Sequence, residues 1–172
     1  MKKIGLLSDT HTYWDEKFAH YFSECDEIWH AGDIGSEDVL NRLKALKPVR
    51  AVHGNIDDSQ IRAICPRILR FKVEEVEVLL THIGGYPGKY DLFIRADLEE
   101  QTPNLFVCGH SHILKVMYDK QRQMLCVNPG AAGKSGFHHF RTLIRFVIDG
   151  KDIKNMEVVE MGKVNQTDSG IY

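Results

Sequence analysis

With 172 residues, 43% hydrophobic and 27% charged side chains and a formal net charge of −2, the chain fits one domain, residues 1–172, able to bury roughly 70% of its unfolded surface. That charge balance carries no electrostatic footprint for a nucleic acid or an anionic membrane surface. The opening MKKIGLLSD is too short an apolar run for a secretory signal, and no stretch approaches the ~18 apolar residues of a membrane span, so a cytoplasmic location is expected.

In chain order, KKIGLLS reads as a first strand, and WDEKFAHYFSE as a helix with Phe18, Tyr21 and Phe22 on one face. DEIWHAGD follows as a second strand. SEDVLNRLKALK opens on the helix-capping Ser36, keeps Val39, Leu40, Leu43 and Leu46 on one side and stops before Pro48. PVRAVHGN is a third strand. Strand-helix alternation up to Asn55 implies parallel strands joined by right-handed crossovers.

The second half is richer in strands. RILRFKVEEVEVLLTH reads as a hairpin around Glu74 and Glu75, DLFIRADLEEQ as a helix, and NLFVCGH, ILKVMYD, QMLCVNPG and TLIRFVIDG as further strands. The pattern is α/β, with two stacked sheets flanked by helices, and a frayed tail at NQTDSGIY. Cys25, Cys65, Cys108 and Cys126 lack C-x-x-C spacing and lie mostly in apolar runs, which suits reduced, buried thiols.

Chemistry gathers at the strand ends. The first strand runs into Asp9 and His11, the second into Gly32 and Asp33, the third into Gly54 and Asn55, the hairpin into His82, and NLFVCGH into His110 and His112. In an α/β sheet the carboxyl ends of parallel strands form the ligand crevice, so these distant residues can converge there. Four imidazoles, two carboxylates and an amide oxygen suit manganese first, and also iron, zinc or nickel, better than calcium or magnesium. They suffice for two divalent ions. Two such ions ~3.5–4 Å apart need a bridging carboxylate and a hydroxide, the arrangement that hydrolyses phosphate esters. Gly32, Gly54 and Gly109, just before the ligands, let the backbone turn.

The blocks SDTH, HAGD, HGNID, LTHIGG, GHSH and NPGAAG, in that order from residue 8 to 133, resemble the metallophosphoesterase blocks of the calcineurin-like superfamily. Length and the GN-x-D form resemble its small YfcE-like phosphodiesterase branch. The resemblance implies a two-sheet β-sandwich with outer helices. It also implies that Asp9, His11, Asp33 and His112 hold one metal ion and Asp33, Asn55, His82 and His110 the other. Asp33 would be the bridge, and Asp33, Asn55 and His82 the residues closest to the reaction. The implied activity is phosphodiester hydrolysis by a metal-bridging hydroxide on a small phosphate ester, with a homo-oligomer left open. The alternative is a non-catalytic scaffold, because the retromer subunit resembles this branch and serves as a protein-binding platform.

Further candidates surround this set. His53 and Asp57 flank the third block, and Arg141 in FHHFR has the fork to grip a phosphoryl oxygen, so these three are assigned to substrate. The backbone N–H groups of NPGAAGK are candidates for an anion contact, and His30 for orienting a ligand. One departure stands out. Much of the superfamily has a histidine after G-N, placed to protonate the leaving group; here it is Ile56. Without that acid the site should favour esters with a good leaving oxygen.

Overall fold

The computed structural model describes residues 1–164; the tail NQTDSGIY lies outside the described residues. The elements are β1 (Lys2–Leu7), α1 (Phe18–Tyr21), β2 (Glu27–His30), α2 (Glu37–Leu46), β3 (Val49–Ala51), α3 (Ser59–Ile64), β4 (Ile68–Val73) and β5 (Val76–Thr81). They continue with β6 (Gly85–Tyr86), β7 (Lys89–Tyr90), α4 (Leu92–Glu100), β8 (Leu105–Val107), β9 (Leu114–Asp119), β10 (Met124–Pro129), β11 (Phe140–Asp149) and β12 (Asp152–Lys163).

Two mixed five-stranded sheets stack face to face, ordered β12-β11-β1-β2-β3 and β4-β5-β8-β10-β9. In the first, β1, β2 and β3 run parallel; in the second, β5, β8 and β10 do. The period-two alternation of the strands sorts their side chains. Ile4 and Leu6 of β1 join Trp29, Val78, Leu80, Val107 and Val127 in the core between the sheets. Leu7 faces outward, toward Phe18, Phe22, Leu40, Leu43 and Ile61 from α1, α2 and α3. On the far side Leu79, Phe106 and Met124 pack under Ile94 and Leu98 of α4. Each fully buried aliphatic side chain contributes about 1.5–3 kcal/mol. All four cysteines are free and buried.

Local signals explain most boundaries. The Ser36 side chain accepts from the Val39 N–H, and Asp91 caps α4 through Phe93. The first helix is one turn rather than the expected three; ahead of its start, Asp15 is taken by Arg141 and by the Lys17 N–H. Four elements were not anticipated. Asp58 caps the short α3, β6 and β7 form a small hairpin, and β12 is a long, mostly exposed strand on an outer edge, paired to β11 with two register shifts. Bulges of that kind interrupt the two-residue period and hide a strand from pattern reading.

Candidate metal centre

The carboxyl ends of β1, β2, β3, β5 and β8 open on one edge of the sandwich. Pairing continues past the strands: Asp9 N–H donates to Gly32, His11 N–H to Asp33 and Thr12 N–H to Ile34, while Gly109 N–H donates to His82. Asp9 is thereby laid beside Asp33, and His110 beside His82.

The backbone there is strained. Asp9 (φ 54°), His11 (46°), Asp33 (53°), His110 (67°) and His112 (57°) all occupy the left-handed region. Asp and His tolerate it better than most residues. Such conformations still cost about 1–3 kcal/mol each and persist where the surroundings impose them. Of the expected turning glycines, Gly32 has φ 93°. Gly54 and Gly109 instead permit close approach: a Cβ on Gly54 would lie 1.9 Å from Asp33 Oδ1, and one on Gly109 would lie 2.0 Å from Ser8 Oγ and 2.8 Å from Asp9 Oδ2.

Two groups of donor atoms face the cleft, Asp9–His11–His112 and Asp33–His82–His110, each with its atoms within 4.8 Å of one another. Asp33 Oδ2 lies between them, 3.2 Å from His82 Nε2 and 3.6 Å from His11 Nε2. Asn55 Oδ1 stands 3.1 Å from His82 Nε2. The tautomers are set from behind. His82 Nδ1 donates to the Ala31 carbonyl at 2.7 Å, leaving the Nε2 lone pair directed at Asp33 and Asn55. His138 Nε2 donates to the Gly133 carbonyl (2.9 Å), so its Nδ1 accepts from His112 Nδ1 (3.3 Å) and leaves His112 Nε2 a lone pair on the cleft side.

These donors fit divalent metal. Asp9 Oδ1 is buried without a hydrogen-bond partner, though His112, His11 and His82 Nε2 stand 3.1, 3.8 and 4.0 Å away. His11 Nε2 and His112 Nε2 face each other at 3.3 Å. Carboxylate oxygens and imidazole nitrogens gathered this closely are the donor set of a divalent cation. Burial alone would raise the Asp9 carboxyl, but the imidazoles of His11 and His112 hold it well below the usual carboxylate range. Burial likewise opposes ionisation of Asp33, and His82 outweighs it. The Asp9 carboxylate draws His11 up. His82 rises too, against its burial, through Asp33 and Asp9. The cleft is poised to hold positive charge.

The other candidates divide. His53 is half-buried and lines a cleft beside Asn55 and His82. Asp57 is not available to substrate or for proton donation. It is buried, and its oxygens accept from the N–H groups of Ile34 (3.2 Å), Gly35 (2.7 Å) and Gly54 (2.7 Å), so it ties the second and third strand ends together. Arg141 is also corrected: buried, it pairs with Asp15, donates to the Ala132 carbonyl (3.0 Å) and packs on the Tyr13 ring, so it braces the fold rather than a phosphoryl group.

In NPGAAG, the Ala132 and Gly133 N–H groups go to the Ser8 and Asp9 carbonyls instead of an anion. His30 contacts Thr10 Oγ1 (2.9 Å) and Gly32 N (3.2 Å), not a ligand side chain, and burial pushes its pKa down to about 4, so it stays a neutral brace. His138 was visible in FHHFR, but no spacing rule connected it to His112.

Known proteins place this geometry. The profile of the calcineurin-like phosphoesterase superfamily domain matches residues 1–151. A protein of Methanothermobacter thermautotrophicus named "Probable metallophosphoesterase" is 32% identical over 133 residues, 74% of this chain and 76% of that one. One of the same description from Methanocaldococcus jannaschii is 32% identical over 135 residues, 74% and 67% of the two chains. Among solved structures, a novel archaeal phosphodiesterase superposes with TM-score 0.72 at 19% identity, covering 91% of this chain and 99% of that one. Vps29 of Chaetomium thermophilum does so with TM-score 0.72 at 13% identity, covering 95% and 100%. Those two likenesses show the fold alone. The profile match and the archaeal relatives show that the chain belongs to the calcineurin-like phosphoesterase superfamily, whose members depend on two metal ions.

Proposed function

We propose that the chain hydrolyses phosphodiester bonds of a small phosphate ester with two divalent transition-metal ions, manganese foremost. Asp9, His11, Asp33 and His112 would hold one ion; Asp33, Asn55, His82 and His110 the other. The observation that carries the reading is the partnerless Asp9 Oδ1 among imidazole nitrogens, with Asp33 set between both donor groups. Bound there, such ions supply Lewis acidity toward phosphoryl oxygens and hydroxide near neutral pH. The chain's own part is to fix the donors before substrate arrives, so that little reorganisation accompanies the reaction.

A diester with a good leaving oxygen suits the site best. Ile56 offers no proton and Asp57 is fully engaged, so neither residue after the G-N pair supplies an acid for a poor leaving group. The alternative, a retromer-subunit-like scaffold, draws on the fold shared with Vps29; the complete donor set speaks for catalysis. Metal removal, verified by elemental analysis, should abolish hydrolysis of bis(p-nitrophenyl) phosphate, and Mn²⁺ should restore it. Full activity of the metal-free protein would refute the reading. Tight metal binding without turnover of any phosphate mono- or diester would favour the scaffold.

A further inference from the structure

Beside His82 and Asn55 lies a cleft of about 390 Å³, lined also by His53, Arg62, Arg67 and Phe93, with no carboxylate among its lining residues. In a chain of net charge −2 this is a locally basic wall, and its two arginines are in different states. Arg62 is spent on the protein, donating to the Asp57 (2.7 Å) and Asn55 (3.1 Å) carbonyls. Arg67 sits over the Phe93 ring, its Cζ 3.9 Å from the ring centroid, and among the described residues its guanidinium makes no ion pair or hydrogen bond.

The other arginines are all engaged, as Arg50 is with Glu27 and Arg145 with Glu157. An arginine stacked on an aromatic ring keeps its fork in one plane with its N–H donors free, which is the pre-organised form that grips a phosphoryl group.

The backbone around Arg67 is fastened to the candidate centre from two sides. The Pro66 carbonyl accepts from the His53 N–H (3.0 Å), which ties it to the segment carrying Asn55. The Arg67 carbonyl accepts from Thr81 Oγ1 (3.3 Å), which ties it to the end of β5 just before His82. The neighbouring cleft of about 380 Å³ along His110, which shares Ile83, is mixed: Tyr86, Ile113 and Met117 stand beside Lys89, Lys115 and the carboxylate of Asp91. Its Lys115 ammonium lies over the Tyr86 ring as a point charge without a planar fork.

We propose that the Arg67 cleft is a subsite for a second phosphoryl group, carried by the non-reacting portion of the substrate. The inference rests on the phosphodiesterase reading and narrows its substrate class to diesters bearing a further phosphate.

The test compares the p-nitrophenyl phosphodiester of propanediol with the same diester carrying a terminal phosphate, on the Mn²⁺-loaded full chain. Both release the same leaving group. Wild type should favour the phosphorylated diester in kcat/KM by about tenfold, the scale of one charge-assisted contact. Arg67→Met should bring the ratio close to unity, and Arg67→Lys, which keeps the charge but not the planar fork, should retain part of it. Lys120→Ala, the same loss of charge at the other end of the second sheet, should leave the ratio as in wild type.

Calorimetric binding of propanediol bisphosphate against its monophosphate gives the same comparison without turnover. No preference in wild type, or an equal fall in the Arg67 and Lys120 variants, would overturn the subsite. Absence of all hydrolysis would instead overturn the phosphodiesterase reading, and the binding arm would still decide the subsite.

Discussion

The two donor groups of the candidate centre are held in different ways. His82 is buried and takes its tautomer from the Ala31 backbone carbonyl, while one oxygen of Asp33 is fixed by the Ile56 N–H at 3.1 Å. Asp9 in the other half also accepts from a main-chain N–H, that of His110 at 3.1 Å, so the difference lies in the histidines. Across the cleft, His112 takes its tautomer from another side chain, His138, which reaches in from the loop before β11. Gly136 (φ 125°) leaves just enough room, for a Cβ there would lie 2.2 Å from His112 Nδ1. A backbone anchor cannot be removed by substitution, but a side-chain anchor can. The anchor of His112 is therefore the one that a single substitution can remove.

The largest effect should come from breaking both halves together. Asp33 faces His82 and His11 at once, so Asp33→Asn should lower turnover of an activated phosphodiester ~10³-fold or more and reduce the metal content of the purified protein. Retention of both ions with near-wild-type turnover would remove Asp33 from its assigned place. A smaller effect should separate the halves. His138→Ala should weaken one of two Mn²⁺ binding steps by about 10–100-fold and spare the other, read by calorimetric titration. His138→Asn, whose amide oxygen can replace Nδ1 as acceptor, should recover part of the loss. Equal weakening of both steps would show that His138 supports the fold and not His112.

The same contrast explains what was legible beforehand. Residue types at strand ends are visible in sequence, so Asp9, Asp33, Asn55, His82 and the GHSH histidines can be gathered into one cleft from sequence alone. Their convergence needed only the rule that parallel strands share a carboxyl edge. Roles decided by contacts across the fold were hidden. Arg141 looked like a phosphate ligand because an arginine shows its charge in sequence but not its partner, and Asp15 stands far away along the chain. Asp57 looked free because three backbone N–H groups leave no mark on a sequence. The long β12 was obscured by bulges, and α3 escaped although Asp58 is a good cap. Arg67 went unnoticed because Phe93, the ring that holds it, belongs to a separate element.

The smallest expected effect concerns Ile56, on the backbone-anchored side. Its N–H serves Asp33, while its side chain is 46% exposed, so a larger polar group can replace it without entering the core. With no acid there, negative charge accumulates on the departing oxygen, and rates across aryl phosphodiesters should fall steeply as the leaving-group pKa rises. Ile56→His should flatten that slope and gain about tenfold on the poorest leaving group relative to the best, well inside the ~10²–10⁴-fold range of general-acid help. The half-buried His53 is the competing donor: it lines the same cleft as Asn55 and His82, and its Nδ1 lies 3.1 Å from the Gly54 carbonyl, which leaves Nε2 free of that contact. A shallow wild-type slope that steepens in His53→Gln and is unmoved in Ile56→His would assign the proton to His53, and the argument from the missing histidine would fail.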